Sequence, residues 1–229
     1  MHIKVDSQVL ALIPDLKIGL IHYTKISVGD SPQMLKGRLQ LFQEQLYFEL
    51  EEKGLAHFPN LESWRSIFKN TGANPSRYRP SAEALYRRVA KQNYFTPTQS
   101  AVDSNTFFSL YYSIPLGLYD RDTLGNDIHF TIGTSSTTYD ALNAREIKLN
   151  GILHSADETG PFGSPYVDSK RSAVTLQTTN ALHVVYLSPS MPLEEAEKLM
   201  TAMASMFIQT HGGEARQIIL SKDTPEGMI

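Results

Sequence analysis

Between Ser31 and Gly54 the sequence SPQMLKGRLQLFQEQLYFELEEKG carries one uninterrupted helical period, and the rest of the chain has to fold around it. Leu35, Leu39, Phe42, Leu46 and Leu50 recur at three- and four-residue intervals, which puts them on one face. Ser31 is the expected N-cap, Pro32 the first helical residue and Gly54 the stop. Before it, Leu16, Ile18, Leu20, Ile21, Tyr23 and Ile26 follow Pro14 in a mostly alternating pattern, which predicts a strand.

Helices continue up to the middle of the chain. Leu61, Trp64, Ile67 and Phe68 predict a short helix ending near Gly72, and Pro80 gives an extended approach to another that begins at Ser81 and runs to Lys91. The aromatic stretch 102–114, VDSNTFFSLYYSI, looks strand-like in composition. Its apolar residues Phe107, Leu110, Tyr111 and Ile114 nevertheless fall at i, i+3, i+4 and i+7, so it reads as a helix capped by Asp103 or Ser104 and ended by Pro115. Short strand-like pieces follow: GLY, DIHFTI, REIKL, GILHSAD, AVTLQ and ALHVVYL. A last helix runs from Leu193 to Thr210, with Glu194 and Glu195 in its first turn and Gly212 and Gly213 after it. Helices on both sides of a strand-rich stretch predict an α+β fold. There is no internal repeat, low-complexity tract or long linker, so one domain over 1–229 is expected.

Composition removes several function classes. The 229 residues include no Cys, which excludes disulfides, thiolate metal sites and cysteine nucleophiles. The seven His residues form no HxH, HExxH or i,i+4 pair, so neither a metal nor another cofactor is expected. No GxGxxG, GxxxxGK[ST] or GxSxG is present, which leaves phosphate cradles and nucleophile elbows without support. The N-terminal stretch is broken by Asp6, Pro14, Asp15 and Lys17, so neither a signal peptide nor a membrane span is expected, and a cytoplasmic protein is the default. A net charge of -3 gives no overall bias toward nucleic acid, and DNA is not an expected partner.

Two local features remain. Gly160-Pro161-Phe162-Gly163-Ser164-Pro165 is either a shaped loop or, as such clusters more commonly are, a plain turn between strands. The segment 74–92 gathers Arg77, Arg79, Arg87, Arg88 and Lys91 against the single acid Glu83, with Tyr78 and Tyr86 interleaved. Such a strip can grip RNA phosphates and stack on bases, but Glu83 and Arg87 also make an ordinary i,i+4 pair on a solvated helix face.

Three stretches taken together carry more: NTGANPSRYRPSAEALYRRVAK, AVDSNTFFSLYYSIPLGLYD and HSADETGPFGSPYVDSKRSAVTLQTTNAL. They closely resemble the B3/B4 domain, the editing module of the phenylalanyl-tRNA synthetase β subunit, which also occurs as free-standing proteins. The family segment VDxxNYVMLELGQPLHAFD is matched at Val102, Asp103, Leu110, Pro115, Leu116 and Asp120, with Tyr119 for the family Phe. The free-standing relatives look closer still, through RYRPS at Arg77 to Ser81 and PLG in place of PLH. The resemblance spans about residues 60–190, with no synthetase catalytic or anticodon-binding parts beside it.

The resemblance implies a three-layer fold like that of the synthetase β subunit and of part of tRNA(Ile)-lysidine synthetase. It also implies a pocket between the PLG segment and the loop 160–171, built from Asn105, Thr106, Pro115, Leu116, Gly117, Ser164, Pro165, Asp168 and Arg171. In the synthetase this pocket hydrolyses tyrosine mischarged on tRNA(Phe), a reaction that an oriented water can perform without a protein nucleophile. Here Gly117 stands at the family His, Thr106 at the family Asn with Asn105 one place earlier, and Asp168-Ser169-Lys170-Arg171 near the stretch with the tyrosine-recognising Glu. Arg171 or Lys170 is suited to a carboxylate, a phosphate or the tRNA terminus. Two functions follow from the resemblance. One is a trans-acting aminoacyl-tRNA deacylase or tRNA-binding protein, with Arg77, Arg79, Arg87, Arg88 and Lys91 on the RNA. The other is a non-catalytic B3/B4 module that binds a small amino-acid-like ligand or a synthetase partner.

Overall fold

The computed structural model describes all residues from Met1 to Ile229. Its elements are β1 (His2–Val5), α1 (Ser7–Leu12), β2 (Lys17–Thr24), α2 (Gln33–Lys53), α3 (Pro59–Asn70), α4 (Ser81–Val89) and α5 (Ser100–Tyr112), then β3 (Leu116–Asp120), β4 (Asp127–Ile132), β5 (Thr138–Asp140), β6 (Glu146–Lys148), β7 (Leu153–Asp157), β8 (Gly160–Gly163), β9 (Ala181–Leu187), α6 (Leu193–His211), β10 (Glu214–Leu220) and β11 (Glu226–Met228). The architecture is α+β in three layers. A four-stranded sheet in the order β10-β2-β9-β3 lies in the middle, a five-stranded sheet β11-β1-β4-β7-β8 covers one face, and α2, α4, α5 and α6 cover the other.

β9 shows why this sheet is central. Its sequence ALHVVYL is apolar almost throughout, and every residue is buried, as expected for a strand covered on both faces. Ala181, Val185 and Leu187 point into the core beneath the helices, whereas Leu182, Val184 and Tyr186 point into the core between the sheets. β3 lies antiparallel to β9, pairing Gly117 with Val184 and Tyr119 with Leu182. Leu116 and Leu118 therefore face the helices, and Gly117 and Tyr119 face the other sheet.

Four local expectations are corrected. Ser31 does not cap α2: the helix starts at Gln33 with Pro32 at the cap position, and the Ser31 hydroxyl donates to Asp103 instead. Neither Asp103 nor Ser104 caps α5, which begins earlier, at Ser100. Asp103 sits inside its first turn, where it also accepts the Thr98 amide at 2.8 Å. The piece AVTLQ is not a strand. Only Ala173 bridges to Tyr119, after which the chain turns so that Thr175 N donates to Thr178 Oγ1 at 2.9 Å, and Thr178 Oγ1 donates to Asp120 at 2.6 Å. The Gly/Pro cluster is more than a turn, since Gly160 to Gly163 form β8 and pair with β7. α5 ends at Tyr112 and is capped by Ser113, whose left-handed φ of 54° reverses the chain into Pro115 and β3.

Candidate functional site

Between β3 and the loop after β8, where the sequence resemblance leads one to expect a pocket, the space is filled by the chain's own Tyr119. Gly117 and Tyr119 are two residues apart on one strand and so share a face. The phenol lies back over Gly117 and reaches Gly163 on β8, and a Cβ added at either glycine would overlap its ring and hydroxyl. Both positions are glycine because a phenol takes the space of a side chain there. Tyr119 Oη donates to Asp168 Oδ1 at 2.6 Å, and the Phe162 ring stands edge-on to Tyr119 with centroids 5.0 Å apart. Tyr119 is fully buried.

More phenols surround this pair. Tyr139 Oη lies 2.9 Å from Ser164 Oγ and also donates to the Val167 carbonyl, while the Ser164 hydroxyl donates to the same carbonyl at 3.0 Å. Tyr186 is fully buried, its hydroxyl has no partner of good geometry, and its ring meets Trp64 edge-on. Asp168 is half-buried as a residue, but its carboxyl faces this cluster with no cation beside it. Burial pushes the Asp168 carboxyl up to about 7, with the hydrogen bond from Tyr119 only partly opposing it. Near neutral pH it is shared between neutral and charged forms. Burial also raises the Tyr119 and Tyr139 hydroxyls well above the ordinary phenol value, so both stay protonated donors.

Arg171 does not point into this space. Its guanidinium donates to Asp157 Oδ1 at 2.7 Å and to the Gly160 carbonyl at 2.8 Å, which ties the loop to the end of β7. Burial works to raise Asp157, but hydrogen bonds from Arg171, Gly125 and Thr159 outweigh it and hold the carboxyl at about 2. Lys170 is exposed beside a shallow surface hollow of about 420 Å³ that also includes Tyr139, Asp140 and Ser169. Asn105 lies on the helical side of the central sheet. His183 Nε2 donates to its side-chain oxygen at 2.9 Å, within rings contributed by Tyr23, Phe108 and Phe207. Burial lowers His183 to about 3, so this imidazole is neutral, and its Nδ1 has no donor.

The structure thus gathers Gly117, Ser164 and Asp168 and separates them from Asn105 and from the side chain of Leu116. Thr106 is half-buried one residue further along α5. Pro115 and Pro165 act through their carbonyls: Pro115 accepts the Tyr186 amide at 3.2 Å, and Pro165 accepts the Ser81 amide at 2.8 Å. The second contact brings the basic segment to the rim of the site, reinforced by Tyr78 and Tyr166 meeting edge-on with centroids 5.5 Å apart.

Within that segment Glu83, only 2% exposed, gathers three guanidiniums. It meets Arg65 at 3.0 Å, Arg79 at 3.4 Å and Arg87 at 2.6 Å. Arg88 donates to the Asn93 carbonyl at 2.8 Å and stacks over Phe95, while Arg77 lies over its neighbour Tyr78. Arg77 and Lys91 make no ion pair, so the strip keeps an excess of positive charge.

Sequence reasoning did not place Tyr119, Tyr139, Gly163 or His183 among the site residues. The first was within reach, because strand alternation alone puts Tyr119 beside Gly117. Tyr139 and Gly163 meet it only through the pairing of distant segments.

A family model described as B3/4 domain matches residues 63–207, from α3 into α6. The chain belongs to the B3/4 domain family. It is 30% identical over 213 residues to the uncharacterized protein YhzB of Bacillus subtilis (strain 168), covering 93% of this chain and 96% of that protein. Among solved structures it is similar to an N-terminal fragment of the phenylalanyl-tRNA synthetase β subunit from Pyrococcus horikoshii, at a TM-score of 0.46 and 13% identity. That similarity covers 95% of this chain and 53% of the other, so the chain spans about half the length of that fragment. No helix is long and apolar enough to cross a membrane.

Proposed function

We propose that this protein is a B3/4 module that binds tRNA and does not hydrolyse an aminoacyl ester at the Gly117 site. The observation that carries this reading is the Tyr119 phenol, which fills the space between Gly117 and Gly163 and is tied to Asp168. An ester carbonyl and an attacking water need that volume, and Arg171, the cation of the loop, is engaged by Asp157 and Gly160 and does not reach it. Support for RNA comes from the strip at Arg77, Arg79, Arg87, Arg88 and Lys91, joined to the site's rim through Ser81 and Pro165. Phosphate contacts of this kind give affinity that falls as salt rises.

The test has two arms. Fluorescence anisotropy with labelled tRNA is expected to show salt-dependent binding that weakens in an Arg77→Glu/Lys91→Glu variant. A panel of charged tRNAs is expected to lose its amino acids no faster with the protein than without it. Absence of tRNA binding overturns the first half of the proposal, and accelerated deacylation of any tRNA overturns the second. A second reading, an amino-acid-like ligand that takes the place of the Tyr119 phenol, is favoured by the glycine walls and the Asp168 acceptor, which together already form a phenol-shaped site. It requires Tyr119 to swing out.

A further inference from the structure

The strongest surface feature lies on the opposite side of the molecule, on α2. The face of this helix that covers the core holds Leu35, Leu39, Leu46 and Leu50, yet its outer face is also apolar. Met34, Leu41 and Phe48, seven residues apart, are 66%, 67% and 66% exposed. At the helical angle per residue these three fall on one stripe with Arg38, Gln45 and Glu52. Beside the stripe, α2, α5 and α6 enclose an apolar cleft of about 410 Å³ walled by Phe42, Phe107, Tyr111 and Met206. An exposed stripe and cleft of this kind on a folded chain mark an interaction surface.

The charges on the stripe identify its partner. Arg38 has no acidic neighbour: its guanidinium touches only the Met206 sulfur at 3.2 Å and the Phe107 ring. Glu52 likewise makes no ion pair, although Glu49 on the same helix pairs with Lys53 and His57. A two-fold axis across the middle of α2 matches residues whose numbers sum to 89 or 90. Arg38 then opposes Glu52 of a second copy, Leu41 opposes Phe48, and Gln45 opposes Gln45. The apolar centre of the stripe meets itself in this arrangement, and both unpaired charges are satisfied twice by symmetry. Gly37, on the same face with open space where a Cβ would be, lets the second backbone approach.

We propose that this surface is a symmetric dimer interface, with α2 of a second copy lying antiparallel across it and Phe48 of that copy entering the cleft beside Leu41. An apolar centre flanked by complementary charges fixes both register and direction.

Sedimentation equilibrium and light scattering from about 1 μM to about 1 mM, the span over which weak interfaces associate, provide the measurement. The wild type is expected to pass from monomer to dimer in this range, and Leu41→Glu to weaken association at least ten-fold with an unchanged melting temperature. Charge pairing gives the more selective test. Arg38→Glu presents acid to acid and Glu52→Arg presents base to base, so each variant alone stays monomeric where the wild type is dimeric. Mixed in equal amounts they associate, because each heterodimer contact is again opposite in sign. A wild type that stays monomeric throughout overturns the proposal, as does a dimer indifferent to Leu41→Glu or a mixture that associates no better than its parts.

Discussion

Replacing Tyr119 by Ala tests whether the phenol fills the space between Gly117 and Gly163 as a buried plug. Tyr119 has no solvent exposure and sits between two glycines that offer no side chains with which to refill the gap. Truncating a buried aromatic of this kind costs about 3–5 kcal/mol, with the upper end expected where the walls cannot collapse. The change also removes the donor to Asp168, and a buried acceptor left unpaired costs about 1–3 kcal/mol more when water does not replace the lost partner. A total of roughly 4–8 kcal/mol, measured by urea denaturation at pH 7, is the expected loss. The cavity left behind is the shape of a phenol with an acceptor at its far end. Added 4-methylphenol should therefore restore stability, by about 2.7 kcal/mol at a concentration one hundred times its dissociation constant. Toluene has the same shape without the hydroxyl and should restore distinctly less, because Asp168 stays unpaired. A loss below about 1 kcal/mol would mean that Tyr119 is not packed as described. Equal rescue by toluene and 4-methylphenol would refute the role given to Asp168.

Asp168→Asn is expected to flatten the dependence of stability on pH. The wild-type carboxyl is raised from 3.8 to about 7 on folding, so its contribution is fully present below about pH 4 and is lost as pH rises through 7, by at most about 4 kcal/mol and less where water reaches the carboxyl. Asp157, held at about 2, acts in the opposite sense but below this window, so the difference between wild type and variant from pH 4 to 8 isolates Asp168. Gly117→Ala should cost about 1–3 kcal/mol by forcing the phenol off its seat, and much less when introduced into Tyr119→Ala. Additive losses in that double-mutant cycle would show that the two positions do not touch. Glu83→Gln leaves three guanidiniums crowded together. Because their side chains are between 28% and 44% exposed, the loss should fall short of the roughly 3–5 kcal/mol of a fully buried pair and should shrink in high salt. A salt-independent loss would point to packing instead.

How much of this was legible in the sequence depends on the range of the interaction that decides it. α2, α3, α4 and α6 follow from periods and punctuation within each segment, and β9 from a short, continuous apolar run. β1, β10 and β11 carry no such local signal, because each is a strand mainly by virtue of its neighbours: His2 to Val5 pair with β4 and β11, and Glu214 to Leu220 with β2. The same division explains the caps. Ser31 satisfies the local rule for an N-cap, but the buried carboxylate of Asp103, far away in the chain, competes for its hydroxyl and wins. It also explains the site. The family pattern drew attention to Gly117 and Asp168, which the structure brings together around Tyr119, while the packing at Gly117 depends on which atoms occupy the space it leaves. A missing His at this position suggests an emptied corner when the segment is read alone. With β8 and the loop to Asp168 in place, the corner belongs to Tyr119, and restoring a side chain at Gly117 displaces the phenol before it rebuilds any catalytic group. Exchanging Gly117 for His in the presence of Tyr119 is therefore a packing experiment. Recovery of the family's chemistry, if this chain retains the capacity for it, has to begin with the removal of Tyr119.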